Sequence, residues 1–266
     1  MKRQPHPILR YFLAGENGER PLAAGILNYI LALAALSFIV YLSFYTLTSL
    51  PGWRKVAAYR EVFAQGWLAT LWLSALSLAG SLLLGAALAM CRQGRLLILR
   101  DASRIYTEII RGTPLLAQIY IFYYGIYHQA GIENAYAAGA LILAGFHGAY
   151  IGEIIRAGIE GVGKSQLDSA RAIGLTRAQT FRHVIFPQAI RRILPPLAGE
   201  FASLIKDSSL LSVIGVNEFT QAASNTNANT FSTLESYFPL AVGYLILTLP
   251  ISLWTQAMES KHRFET

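Results

Sequence analysis

The 266-residue chain is 54% apolar and only 14% charged, against roughly 25% charge in soluble domains. That balance excludes an ordinary water-soluble domain and points to lipid as the solvent, while a single cysteine, Cys91, excludes an intrachain disulfide and offers no metal or redox cluster. The net charge of +7 would suit nucleic acid only if the basic residues gathered on one polar domain.

In chain order, residues 1–24 form a polar tail carrying Lys2, Arg3, Arg10 and Arg20. The apolar stretch that follows is long and lacks a small-residue cleavage site, so it reads as a retained anchor. A spanning helix needs about 20 apolar residues, since each rises ~1.5 Å across a hydrocarbon core ~30 Å thick. Gly25 to Leu50 and Gly66 to Cys91 meet this without a charge, and Gly112 to Ile132 meets it with His128 as its one titratable side chain of note. Asn134 to Gly152 and Ser236 to Met258 are further spans, the latter with Pro250 as a kink candidate. Pro187 to Val216 is apolar yet contains Glu200, Lys206 and Asp207, which must face protein or water. The expected fold is therefore an all-α polytopic membrane protein with six transmembrane helices. Placing the N-terminus inside puts 18 of the 22 Lys and Arg on inside segments, as the positive-inside rule requires. The charge is thus spread along the membrane edge, which argues against nucleic acid.

The longest inside segment, Arg156 to Arg192, has helical spacing over Ser165 to Gly174 and over Thr176 to Val184, with Gly174 as a turn or C-cap and Thr176 as an N-cap. A helix, a glycine turn and a second helix suit docking to a soluble partner. Gly158 to Ser165 (GIEGVGKS) formally matches a phosphate-binding loop. That loop needs a strand before it and an aspartate for Mg²⁺, whereas a membrane helix precedes this one, so the match reads as accidental.

Asp168-Ser169-Ala170, three residues, Gly174, nine residues and Val184-Ile185-Phe186-Pro187 carry a second signal. The spacing resembles the E-A-A, G, I-x-L-P loop of bacterial ABC importer permeases, with Asp168, Ser169, Val184 and Phe186 as mild departures. Arg111 to Gln118 (RGTPLLAQ), Ala149 to Glu153 with Arg156 to Ile159, and Leu204 to Leu210 (LIKDSSL) look like the polar amino acid branch. The resemblance covers about residues 66–258. It implies a five-helix permease core there, a further N-terminal span with its outside loop over 25–65, and a coupling loop over 164–187 that seats in an ATPase subunit. A cytoplasmic tail follows over 259–266. The implied partners are that ATPase, a second permease copy, a periplasmic amino acid-binding protein and membrane lipid. ATP and Mg would sit on the ATPase, this chain would bind no cofactor and catalyse nothing, and the location would be the bacterial inner membrane with both termini cytoplasmic. ATPase coupling falls to Asp168, Ser169, Ala170, Gly174, Phe186 and Pro187.

Candidates for the substrate path are Glu153, Glu200, Lys206, Asp207, Thr113 and Gln118. Glu153 suits either a substrate ammonium or the end of its span. For Glu200 a structural pair with an Arg or Lys is favoured over substrate contact. Lys206 and Asp207, about 100° apart on a helix, make separate contacts. Arg191 and Arg192 anchor a span at headgroups, and Pro195-Pro196 should bend it near the path. An ion-coupled carrier or membrane sensor is the alternative, but the halves show no self-similarity and no nucleophile and base pair is present.

Overall fold

The computed structural model describes residues 22–48 and 50–262. The basic residues expected in the N-terminal tail, Lys2, Arg3, Arg10 and Arg20, lie outside the described residues, as does Arg263. Those described are helical with no strand. The chain divides into two units, 1–53 and 54–266. The first contains α1 (Leu22–Thr48), a charge-free helix whose Leu31, Leu36, Phe38 and Tyr41 side chains are exposed.

α2 (Trp53–Ala57) begins at the boundary and leads into α3 (Arg60–Gln93) of the second unit, the longest of the described helices. Its buried positions are Gly66, Thr70, Leu73, Ser74, Ser77, Ser81, Gly85 and Ala89, a stripe of mostly small residues at spacings of three and four. Lipid tails are as apolar as leucine, so in a bilayer helices associate by close packing, and small residues permit it. At the start of this stripe Gly66 and Thr70 meet Glu218, Phe219 and Ala222; further along the partner is α6 (Ala135–Glu160), which buries Gly148, Ala149 and Gly152. A Cβ at Gly80 would lie 2.9 Å from that of Ala144, and one at Gly85 would lie 2.6 Å from Ile151 Cγ2 and 3.0 Å from the Gly152 nitrogen. Leu84 likewise meets Gly148 and Leu88 meets Gly152. Both numberings climb together, so α3 and α6 run parallel.

A parallel pair needs a return leg, and here the sequence expectation is corrected. The expected span 112–132 is not one helix. The return is made by α4 (Leu97–Gly112) and then by α5 (Leu115–Phe122), which continues through a π-helical turn, Tyr123–Tyr127. Thr113, extended at φ −123° and ψ 147°, is the break, because the residue before a proline is driven out of helical conformation. The piece 115–127 is only about 20 Å long at helical rise. Composition hid α4, which contains Arg100, Asp101, Arg104, Glu108 and Arg111. All five are exposed, while Ser103, Thr107 and Ile110 are buried on one face. Ser103 Oγ donates to the Leu88 carbonyl at 3.1 Å and the Tyr106 hydroxyl to that of Gly145 at 2.9 Å, which binds α4 to α3 and α6.

Beyond α6 come α7 (Lys164–Ala172), the single turn α8 (Arg177–Thr180) and a π-helical turn, Phe181–Ile185, that runs into α9 (Phe186–Asp207). α9 stays helical through Pro195 and Pro196 and packs on α6 and α11 (Thr233–His262). A 3₁₀ segment, Ser208–Ile214, ends at Gly215 with φ +79°. It places Leu211, Ile214 and Val216 in a core with Leu73, Leu115, Ile119 and Leu143. Residues 217–236, expected as a loop, hold α10 (Phe219–Thr230). Its N-cap Glu218 is fully buried and accepts from the Thr220 and Gln221 nitrogens at 2.8 Å, the Tyr244 hydroxyl at 2.9 Å and Thr70 at 3.4 Å. One carboxylate thereby ties α3, α10 and α11 together.

Among the described residues three helices have the length and composition to cross a membrane: Arg60–Gln93, Ala135–Glu160 and Thr233–Met258. Gly85→Leu should force α3 and α6 apart at a cost of about 1–3 kcal/mol, read as a lower thermal unfolding midpoint in detergent. Leu83→Ala, at a position 75% exposed, should leave that midpoint unchanged.

Candidate functional site

The loop between α6 and α9 is built from two complementary caps. α7 ends with the Leu175 N–H bonded to the Ala170 carbonyl and the Gly174 N–H to that of Arg171, both at 3.0 Å, with Gly174 at φ +81°. That is a Schellman motif, in which a left-handed residue satisfies the last carbonyls and glycine carries no steric penalty. One residue on, Thr176 opens α8 with a capping box: its hydroxyl accepts from the Gln179 nitrogen while the Gln179 side chain accepts from the Thr176 nitrogen. Of the residues expected to couple, Ala170 is buried, which roots α7. Asp168, Ser169, Gly174, Phe186 and Pro187 are exposed, and Asp168 pairs with Arg171 at 3.5 Å. Ile173, Phe181 and Phe186 present large apolar side chains to the outside, 76%, 46% and 51% exposed. The phosphate-loop match falls across the end of α6 and the start of α7, so no strand leads into it.

Glu153 faces two cations. Its carboxylate accepts from Arg92 Nη2 at 3.1 Å and from Arg156 Nε at 3.0 Å, with a second bond from Arg156, which also reaches Glu160. This knot joins α3 to α6 at the end where α7 begins, and Arg111 stacks nearby over Tyr150 at 5.1 Å. Glu153 is thus engaged by arginines from two helices.

The second polar cluster was not anticipated. His147, 1% exposed, lies on α6 and its Nδ1 is 2.6 Å from Glu200 Oε1, while Nε2 is 3.5 Å from Asp207 Oδ2. The expectation that Glu200 would pair with an Arg or Lys is therefore corrected: its partner is a histidine. A lone imidazole inside an apolar helix was the signal that went unused, because an ionisable residue within a span is a functional candidate by default. Glu200 and Asp207 sit seven positions apart, two turns of α9, and so share a face. Lys206 is exposed. No group of three or more His, Cys, Asp or Glu among the described residues is arranged to hold a metal.

Thr113 and Gln118 meet at the break between α4 and α5. The Gln118 amide donates to the Ile110 carbonyl and to Thr113 Oγ1, both at 2.7 Å, and the Thr113 hydroxyl donates to the Ile109 carbonyl at 2.9 Å. These bonds replace those that Pro114 cannot make. An open cavity of about 620 Å³ lies between the ends of α3, α6 and α9 beside Phe181 and Phe186, with Met90, Ile155 and Ile193 in its largely apolar wall.

Three helices long and apolar enough to cross a membrane, with a capped helical loop projecting between α6 and α9, match the fold of a transporter membrane subunit of known structure. The chain belongs to the binding-protein-dependent transport system inner membrane components, whose family model matches residues 81–264. It is 36% identical over 202 residues to a probable glutamine ABC transporter permease of Bacillus subtilis, covering 76% of this chain and 93% of that protein. It is 35% identical over 212 residues to a glutamine transport system permease of Escherichia coli, covering 79% and 96%. A crystal structure of an amino acid ABC transporter with histidines matches with a TM-score of 0.72 and 36% identity, over 77% of this chain and 96% of that one. Inward-facing methionine ABC transporter coordinates, at TM-score 0.62 and 16% identity, share the fold.

Gly174→Val should strain the left-handed turn by about 1–2 kcal/mol, and Thr176→Ala should remove a cap worth about 1 kcal/mol. Limited proteolysis of the purified protein should show faster cleavage between residues 164 and 187 in both variants, with the larger change for Gly174→Val.

Proposed function

We propose that this chain is the membrane-spanning subunit of an ATP-driven importer for a polar amino acid, with glutamine the first candidate because the Bacillus subtilis and Escherichia coli relatives are named for it. The observation that carries the reading is the rigid loop from Lys164 to Pro187. Two caps fix its shape, Ile173 stands 76% exposed, and Phe181 and Phe186, about half exposed, line the open apolar cavity beside it. Apolar surface held out by a stiff loop is suited to a cleft in a soluble partner. That partner is an ATPase subunit, which supplies ATP and Mg, while Asp168, Ser169, Gly174, Phe186 and Pro187 meet it and Ala170 anchors the loop.

In this reading six segments cross the membrane: α1, α3, the α4 to α5 leg, α6, α9 and α11. With Arg100, Arg104 and Arg111 now within the α4 to α5 leg, the remaining Lys and Arg still favour both termini and the coupling loop on the cytoplasmic side. The Arg92, Glu153 and Arg156 knot then lies at the cytoplasmic ends of α3 and α6, beside the loop, where movement of the ATPase reaches the spans. Glu200 and Asp207, converging on His147, are the substrate-path candidates with carboxylates in the span interior, suited to hydrogen-bonding the side-chain end of a polar amino acid. A second permease copy completes the path, and a periplasmic binding protein delivers the substrate.

Reconstitution in lipid with the candidate ATPase and binding protein tests this. Hydrolysis should rise with one polar amino acid, and Gly174→Asp should abolish the rise or release the ATPase. Glu200→Gln should keep the ATPase bound while lowering the stimulated rate by about tenfold, the effect of losing one charged contact of ~1.4 kcal/mol. An assembly in which no ATPase binds the wild type under any condition would refute the assignment.

A further inference from the structure

The ring of His147 occupies the carboxylates of the site read above as part of the substrate path. The His147 side chain is 1% exposed, that of Glu200 15% and that of Asp207 37%, so exposure rises from the imidazole to the two carboxylates. One nitrogen holds Glu200 at 2.6 Å; the other faces Asp207 at 3.5 Å and has no hydrogen-bond partner. Phe146 places its ring against the imidazole with centroids 5.3 Å apart at 79°, which limits where the ring can turn. The neighbouring helix α4 adds the Tyr106 hydroxyl, already bonded to the Gly145 carbonyl, and Arg111, whose guanidinium lies over Tyr150 one turn further along α6, while Lys206 stands beside Asp207 on α9.

We propose that His147 sets the charge selectivity of this site, admitting neutral polar amino acids and disfavouring those with a cationic side chain. With the ring in place, the oxygens that would hold a side-chain ammonium or guanidinium are turned to an imidazole, and a cationic ligand has to displace it. A neutral side chain amide needs only the lone pairs that remain, and Asp207 keeps most of its own. Remove the ring, and two carboxylates face an empty space of about its size, the arrangement that favours a cation. The proposal rests on the substrate-path reading of Glu200 and Asp207, yet it makes a separate claim about selectivity.

The experiment measures equilibrium binding of labelled L-glutamine, L-lysine and L-arginine to the purified permease and ATPase complex, without binding protein, for wild type, His147→Ala and His147→Gln. Wild type should prefer glutamine. His147→Ala should shift the ratios of the glutamine dissociation constant to those of lysine and arginine in favour of the two cationic ligands by about tenfold or more, as expected when a charge contact is gained. His147→Gln, which keeps a donor for Glu200, should stay near wild type. A purely structural role would weaken all three ligands alike and leave the ratio unmoved, and that result overturns the proposal. So does a wild type that already prefers lysine. If His147→Ala does not assemble, His147→Ser is measured in its place with the same expectation. Failure of wild type and variants alike to bind any of the three, while the full system still hydrolyses ATP on substrate addition, removes the substrate-path reading itself and this inference with it.

Discussion

The close approach of α3 and α6 is the constraint on which the remaining structure is hung. Where solvent and core are equally apolar, burying leucine gains little, and a helix pair is held by the number of atoms brought within van der Waals range. Gly80, Gly85, Gly148 and Gly152 bring the two backbones together, where side chains as small as Ser77 and Ser81 on α3 are buried. Because the pair is parallel, the chain must cross back between them, and α4 with α5 does so. The hydroxyls of Ser103 and Tyr106 find backbone carbonyls on both members of the pair, so the return leg is seated by the same seam.

Buried polar groups then tie distant elements to this frame. Glu218 caps α10 and reaches Thr70, 148 residues earlier in the chain, and Tyr244 on the last helix. Gln118 and Thr113 supply bonds across a break that proline imposes. In hydrocarbon an unpaired donor or carboxylate is costly, and each of these groups repays its burial by fixing one helix against another. The loop between α6 and α9 obeys the opposite logic. Two caps shape it, buried Ala170 roots it, and its large side chain Ile173 is left outside.

The same division separates what was legible in the sequence from what was not. The all-α class, the long apolar helices over 60–93, 135–160 and 233–258, the Gly174 turn and the Thr176 cap are local properties. A run of lipid-compatible side chains, a residue able to adopt positive φ, and a hydroxyl three residues before a glutamine act within one helix or one turn, and each was read correctly from neighbouring residues. Hydropathy alone failed at α4, where five charges lie on the exposed face of a helix whose other face is buried, and at Thr113, where a proline splits an apolar run. The partners of the polar residues lay beyond reach altogether. Glu200 meets His147 across 53 residues and Glu153 meets Arg92 across 61. Nothing local distinguishes a carboxylate awaiting an arginine from one awaiting an imidazole. Sequence determined which segments can live in a membrane and where the chain turns, because solvation and backbone preference are decided residue by residue. Only the packing of α3, α6 and α9 decided which charges meet, because contact between distant residues exists only once the helices are in register.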